Sequence, residues 1–280
     1  MIYILAEIFA SAFEQGLILG ILALGMSIPF RLLNFPDLTA EGAYALGGCV
    51  YATLIFFDIS ILPALLIATF SSGLAGICTS FIHNKYKINS LLAGIIISTM
   101  IYSINLRVMG KPNMILPSSH HFADFLTYIP HSNIMLVMLI NFALVIGLLL
   151  FLRTEKGLQL RAVGLNPYFA SKQGININYY HYIGLFLGNL LAGLAGILFV
   201  YTNHYADISM NFGIIIQGLA AMMIGEKIMG NNSLVKIVSS PLIGALIYQQ
   251  IQSIALLVGF APSDLKFITG SILLITIALR

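Results

Sequence analysis

Apolar residues gather in nine stretches, each near the roughly 20 residues a bilayer-spanning helix needs: Tyr3 to Ile28, Leu38 to Phe57, Ile61 to Ile82, Ser90 to Met109, Asn133 to Leu152, Tyr179 to Tyr201, Ser209 to Met229, Lys236 to Gly259 and Leu265 to Arg280. A polar island from Arg153 to Asn176 interrupts them. Two further segments, Phe30 to Glu41 and Gly225 to Lys236, break helical continuity between one span and the next. The pattern predicts an all-α, polytopic transmembrane bundle of about eight to nine spans, with two broken-helix segments and one short helix in the island. Residues 1–280 are expected to form one integral-membrane domain, since no polar stretch is long enough for a separate soluble one.

Composition agrees: of 280 residues 59% are hydrophobic and 8% charged, against roughly 25% charged in soluble domains. The N-terminus has no basic stretch ahead of its apolar run, so the first helix is expected to be retained. Cys49 and Cys78 fall inside apolar spans and indicate neither a disulfide framework nor a metal site. The net charge of +3 suggests no nucleic-acid partner, and the placement of the charges matters more. If the island is cytoplasmic, alternating spans put Arg31, Lys85, Lys87, Arg153, Lys156, Arg161, Lys172, Lys227, Lys236 and Arg280 inside. Only Arg107, Lys111 and Lys266 of the 13 basic residues are then left outside. The positive-inside rule therefore predicts an outward N-terminus and a cytoplasmic C-terminus.

Gly184, Gly188, Ala192 and Gly196 recur every four residues on the sixth span, with Gly16 and Gly20 making a shorter strip on the first. Such strips let helix backbones approach closely, either inside one bundle or between two copies. Placing Leu24 against Ala221 superposes Met26 on Met223, Gly47 on Gly244 and Tyr51 on Tyr248, a pattern that suggests a duplicated pair of helices in the same orientation.

In the first broken segment Pro36 biases Phe35 away from helix, and Asp37 or Thr39 can cap the helix that restarts, with Glu41 close behind. The segment is either a cytoplasmic turn or a broken span facing a translocation path. A path reading selects Glu14, Asn34, Asp37, Thr39, Glu41 and Gln217. Glu7 and Glu14 share one helical face. Glu14, deeper in its span, must face protein or water, where it either meets a substrate ammonium or pairs with Arg31. Asn105, Arg107, Gln249, Gln250 and Gln252 either line a polar route or bond between helices. His120, His121, Asp124 and His131 lie in one outer loop, but their irregular spacing fits solvated residues better than a metal site. His181 and His204 flank the sixth span. There is no Gly-x-x-x-x-Gly-Lys-Ser/Thr loop, so any ATP-derived energy must come from another subunit.

Within the island, Arg153, Gly157 and Arg161 lead to Gly164. Asn166 can then cap a short helix that starts at Pro167, carries Tyr168, Phe169, Ala170 and Lys172, and ends at Gly174. Aromatic residues flanked by cations on an exposed knob suit docking into a groove of a cytoplasmic protein, or contact with anionic lipid.

The run Arg-x-x-x-Gly-x-x-x-Arg-Ala-x-Gly-x-Asn-x-x-x-Ala-x-x-x-Gly-Ile, formed by Arg153, Gly157, Arg161, Ala162, Gly164, Asn166, Ala170, Gly174 and Ile175, resembles the coupling loop of permeases from bacterial ABC importers of the branched-chain amino acid and ribose type. Leu191-Ala-Gly-Leu-Ala-Gly196 is similar to the helix after that loop. Asn34-Phe-Pro-Asp-Leu-Thr-Ala-Glu-Gly-Ala-Tyr-Ala-Leu-Gly-Gly48 is most similar to the subgroup described as tryptophan/tyrosine transport permeases. The resemblance implies a cytoplasmic coupling loop over 153–177, a permease dimer in the bacterial inner membrane, a cytoplasmic ATPase subunit that holds ATP and Mg, an extracytoplasmic substrate-binding protein, and no cofactor or metal on this chain. Its solute would be a small compound of the amino-acid type moving inward. One departure is that Gly225-Glu-Lys-Ile-Met-Gly stands where the family often has Gly-Gly-x-Gly. The rival reading is an autonomous secondary transporter coupled to protons or ions through Glu14 or Asp37, and the docking knob argues against it. An enzyme is not expected, because neither a Ser/His constellation nor a metal-ligand helix is visible.

Overall fold

The computed structural model describes residues 2–116, 132–230 and 232–278. His120, His121, Asp124, His131 and Arg280, weighed above for metal binding and charge bias, lie outside the described residues.

Helix α1 (Ile2–Ser27) runs on into a π-helical turn, Ile28–Leu32. Pro29 has no N–H to return to Gly25, so the hydrogen-bond ladder is interrupted there and widens: Leu33 N–H donates to Ile28 O at 3.1 Å and Phe35 N–H to Pro29 O at 2.8 Å. The chain then restarts as α2 (Thr39–Phe56), followed by α3 (Ile61–Tyr86) and α4 (Ser90–Met109). Strand β1 (Asn113–Ile115) leads toward α5 (Ser132–Arg153). The island supplies two helices, α6 (Glu155–Leu165) and α7 (Pro167–Lys172), before the long α8 (Ile177–Asn203). Strand β2 (Tyr205–Asp207) pairs antiparallel with β1. Helices α9 (Ile214–Met229), α10 (Leu234–Val258) and α11 (Leu265–Ala278) complete the order.

Among the described residues six helical segments are long and apolar enough to cross a membrane: Glu7–Leu32, Ile61–Tyr86, Ser90–Met109, Asn133–Arg153, Ile177–Asn203 and Leu234–Val258. The other three stretches read from the sequence correspond to α2, α9 and α11, which have 18, 16 and 14 helical residues. The second break is shorter than expected, and a further one precedes it. Gly225 to Met229, expected to be unwound, complete α9, leaving the interruption between Met229 and the start of α10 at Leu234. Ser209 to Gly213, expected to be helical, form turns. Gly213, at φ +86°, begins the helix from a left-handed conformation, so α9 spans only about 24 Å at 1.5 Å per residue.

Helix α8 is the axis on which α1, α2 and α3 pack. In lipid, helix association depends on close contact between backbones, and small residues permit it. A Cβ on Gly196 would run into the Tyr44 carbonyl, 2.8 Å from its carbon, and one on Gly47 would lie 2.8 Å from the Gly193 carbonyl carbon. Gly188 sits against Pro29 and Gly184 against Leu33. The strip on α8 is therefore filled from within the chain. Gly16 and Gly20 likewise meet Leu246 and Leu242 of α10. The suggested duplication is partial: Tyr51 and Tyr248 are both buried, but Gly47 packs on α8 whereas Gly244 packs on the Ala221 carbonyl of α9.

The bundle has two distinguishable ends. At the knob end, the α1 terminus meets α6, and Arg31 Nε pairs with Glu226 Oε1 at 2.8 Å. At the ribbon end, α4 and α8 lead into β1 and β2, and Lys111 Nζ lies 5.3 Å from the centre of the Phe56 ring at the end of α2. The chain returns from the ribbon into the bundle before α9 begins.

Candidate functional site

At the knob, Thr154 caps α6 by accepting the Gly157 N–H at 3.3 Å, and Asn166 caps α7 by accepting the Phe169 N–H at 3.0 Å. Pro167 occupies the first position of α7, and Gly174, at φ +80°, ends the knob. Leu160, Val163 and Ala170 are buried against the bundle. Gly157 and Gly164 bring α6 against backbone: a Cβ at Gly164 would meet the Leu32 carbonyl and lie 2.8 Å from Leu33 Cα. Tyr180 of α8 donates its hydroxyl hydrogen to Gln159. With one side anchored, the other presents Leu165 (85% exposed), Tyr168 (73%) and Phe169 (60%). Lys172 Nζ sits 5.4 Å from the centre of the Tyr168 ring, while Arg153 is exposed at the end of α5. The expected coupling residues are thus gathered on one protrusion. Residues 155–165 form a helix of their own, which the sequence pattern does not announce.

The expected path residues do not share one site. Asp37 is fully buried where α2 restarts; its Oδ1 accepts the Thr39 N–H at 2.8 Å and its Oδ2 accepts Asn189 Nδ2 at 2.7 Å. Thr39 Oγ1 lies 2.6 Å from Thr79 Oγ1. This network locks the start of α2 onto α3 and α8, so Asp37 and Thr39 organise the break from within protein. Phe35 packs edge-on against His83, with ring centres 4.8 Å apart, and His83 in turn packs on His181. Arg31, suggested above as a partner for Glu14, pairs instead with Glu226. Glu7 is exposed on α1, and Glu14 is half-buried on the same helix, outside the cavities described below.

Three cavities surround these elements. A groove of about 620 Å³ at the knob end is lined by Arg31, Asn34, Arg161, Gly164, Leu165, Asn232 and Ser233 among others. A chamber of about 210 Å³ between α1, α2, α9 and α10 is lined by Gln15, Tyr44, Gln217, Gln249 and Gln252. A side cleft of about 360 Å³ is lined by Leu38, Glu41, Ile95, Ser98, Thr99, Tyr102, Asn211 and Phe212. Glu41 also accepts the Gly213 N–H at 2.9 Å, placing a carboxylate on the N-terminus of α9. Asn34, Gln217 and Glu41 therefore belong to three different cavities. Sequence reasoning missed Asn189, Thr79, Ser98 and Asn211. Their signal is a hydrogen-bonding side chain inside an apolar stretch. Among the described residues no three His, Cys, Asp or Glu side chains are grouped as metal ligands.

Residues 8–277 match the family described as "Branched-chain amino acid transport system / permease component". The chain is 36% identical over 268 residues to the tyrosine transport system permease protein of Clostridioides difficile, covering 96% of this chain and 90% of that one. It is 27% identical over 256 residues to the galactofuranose transporter permease protein YtfT of Escherichia coli, covering 87% and 70%. In fold it is similar to PsaBC from Streptococcus pneumoniae in complex with Fab, with a TM-score of 0.55 and 16% identity over 95% of this chain and 89% of that one.

Proposed function

Because the chain belongs to the branched-chain amino acid transport system permease family, we propose that it forms the inward translocation path for a small solute of the amino-acid class, powered by a separate ATPase subunit that docks on α6 and α7. Membership makes it a multi-pass permease subunit of an ABC transporter rather than an enzyme. The observation that carries the docking reading is an aromatic face, Tyr168 and Phe169, held on a short helix whose opposite side is fixed to the bundle. Such a face suits a groove on a partner protein.

The connections behind the knob support a route for the stroke. ATP and Mg on the partner supply the energy. Movement of α7 is carried by α6 through the tight backbone contact at Gly164 to Leu32, and so to the π-turn and the Asp37 junction. The Tyr180–Gln159 bond carries it to α8. Alternating access follows if two arrangements of these packed elements expose opposite ends of the path. Glu41 and Gln217, in the side cleft and the central chamber, line that path, Asn34 lies at its knob-end mouth, Asp37 and Thr39 hold its hinge, and Glu14 flanks it on α1. The assembly comprises two permease chains and an extracytoplasmic binding protein in the bacterial inner membrane, each permease chain having about eight to nine spans, its N-terminus outside and its knob cytoplasmic. The C. difficile relative's name favours an amino acid as solute; YtfT's name shows that similar chains serve sugars.

The test is detergent co-purification of the tagged chain from cells expressing its neighbouring genes. Recovery of a Walker-motif ATPase with wild type, and its loss from a folded Arg161→Glu/Phe169→Asp variant, is the expected result. A folded wild-type chain that retains no ATPase would sink the docking reading and return the autonomous transporter to first place.

A further inference from the structure

We propose that the side cleft between α2, α4 and the turn before α9 binds a primary ammonium group carried on a flat aromatic body. The inference rests on the permease reading above and assigns a site for the solute's ammonium group.

Ser98 and Tyr102 lie in the middle of α4, so the cleft opens about halfway between the two ends of the bundle. Solute sites of transporters favour that depth, next to discontinuous helices. Its charge is one-sided. Glu41 is the sole ionisable acid or base lining the cleft apart from the Tyr102 phenol, and no described Lys, Arg or His side chain pairs with it. The N-terminus of α9 offsets about half a charge through the Gly213 N–H. The remaining negative charge, on a half-buried side chain facing the cleft, favours a cation.

The neighbouring groups are acceptors of the right kind. Asn211 is 7% exposed, and its side-chain oxygen is buried without a hydrogen bond. Orphaned buried acceptors are rare and point to an absent donor. Ser98 adds a hydroxyl on the α4 side, facing Gly42 of α2. An ammonium group has three N–H donors and no acceptor, which suits a carboxylate, an amide oxygen and a hydroxyl. No guanidinium or ammonium side chain is in the lining to attract an anion, and the Gly213 N–H at the start of α9 is already taken by Glu41. For the rest of the ligand, the Tyr102 and Phe212 rings stack at 28° with centres 6.5 Å apart, making a flat apolar wall. The cleft volume of about 360 Å³ is ample for one such molecule.

The assembled transporter in lipid nanodiscs supplies the test, by equilibrium binding of three probes at matched concentration: tyrosine, tyramine and 3-(4-hydroxyphenyl)propionate, which lacks the ammonium. Tyrosine and tyramine are expected to bind, and the propionate to bind at least tenfold more weakly. Glu41→Gln keeps an oxygen for the Gly213 N–H but removes the charge, and should weaken both ammonium probes at least tenfold. Should that variant fail to fold, Asn211→Ala removes the orphaned acceptor without touching the helix cap, and should weaken them at least fivefold. Equal binding of the propionate and tyramine, or unchanged affinity in a folded variant, overturns the proposal, as does binding of none of the probes. The ATPase content of the same nanodiscs reports on the permease reading separately.

Discussion

Replacing Gly164 by alanine isolates the contact through which the knob meets the bundle. The added methyl would collide with the Leu32 carbonyl oxygen and stand 2.7 Å from its carbon and 2.8 Å from Leu33 Cα. Carbon atoms settle at about 3.5 Å or more, so α6 must withdraw by roughly 0.8 Å to relieve the carbon alone. Neither partner atom sits on a flexible side chain, so the strain falls on backbone. Overpacking of this kind costs about 1–3 kcal/mol. Coupling losses of about that size correspond to roughly 5- to 150-fold. In proteoliposomes containing the assembled transporter, Gly164→Ala should cut ATP-driven uptake at least fivefold and lower the thermal unfolding temperature. Tyr168 and Phe169 are untouched, so the ATPase should stay bound. Gly147→Ala is the control, since a Cβ there meets nothing within 4 Å and alanine favours the helix. Uptake and unfolding temperature equal to wild type in Gly164→Ala would refute the contact as a transmission point.

Arg31→Glu should destabilise the folded chain by about 1 kcal/mol, the scale of a partly exposed ion pair, with recovery in Arg31→Glu/Glu226→Arg; thermal unfolding in detergent checks it, and no recovery would contradict a direct pairing. Asn189→Ala removes a donor from the buried Asp37 carboxylate and should cost about 1–3 kcal/mol, lowering the yield of folded protein, whereas an exposed position such as Asn176 should tolerate loss of its cap at about 1 kcal/mol. Gly196→Val should leave no folded protein in size-exclusion chromatography, because its side chain would enter the Tyr44 backbone.

What could be read from the sequence is what depends on near neighbours. Asn166, Pro167 and Gly174 bound α7 through local bonds and a single positive φ, so the knob was legible residue by residue. Pro36 and Asp37 marked the restart of α2 for the same reason, since Asp37 caps Thr39 two residues on. The turns over Ser209 to Gly213 were not legible, because the start of α9 is set by Glu41, 172 residues from Gly213. Asp37 and Asn189 likewise meet across 152 residues. The small-residue strip announced close packing, but only the fold shows that α1 and α2 are what it packs against, while α3 lies on Leu185, Asn189 and Gly193 of the same helix. For the mid-bundle acceptors, Ser98 and Asn211, the one local sign is a polar side chain in an apolar stretch, which names no partner.

The central claim is that the exposed face of α7 receives the force of a separate ATPase. Its most direct measurement is ATP-dependent solute uptake by reconstituted transporter carrying Tyr168→Ala/Phe169→Ala, with the ATPase subunit quantified in the same vesicles. Loss of uptake together with loss or uncoupling of the ATPase, in a chain that otherwise unfolds like wild type, is the predicted result. Uptake at the wild-type rate with both rings removed would contradict the account.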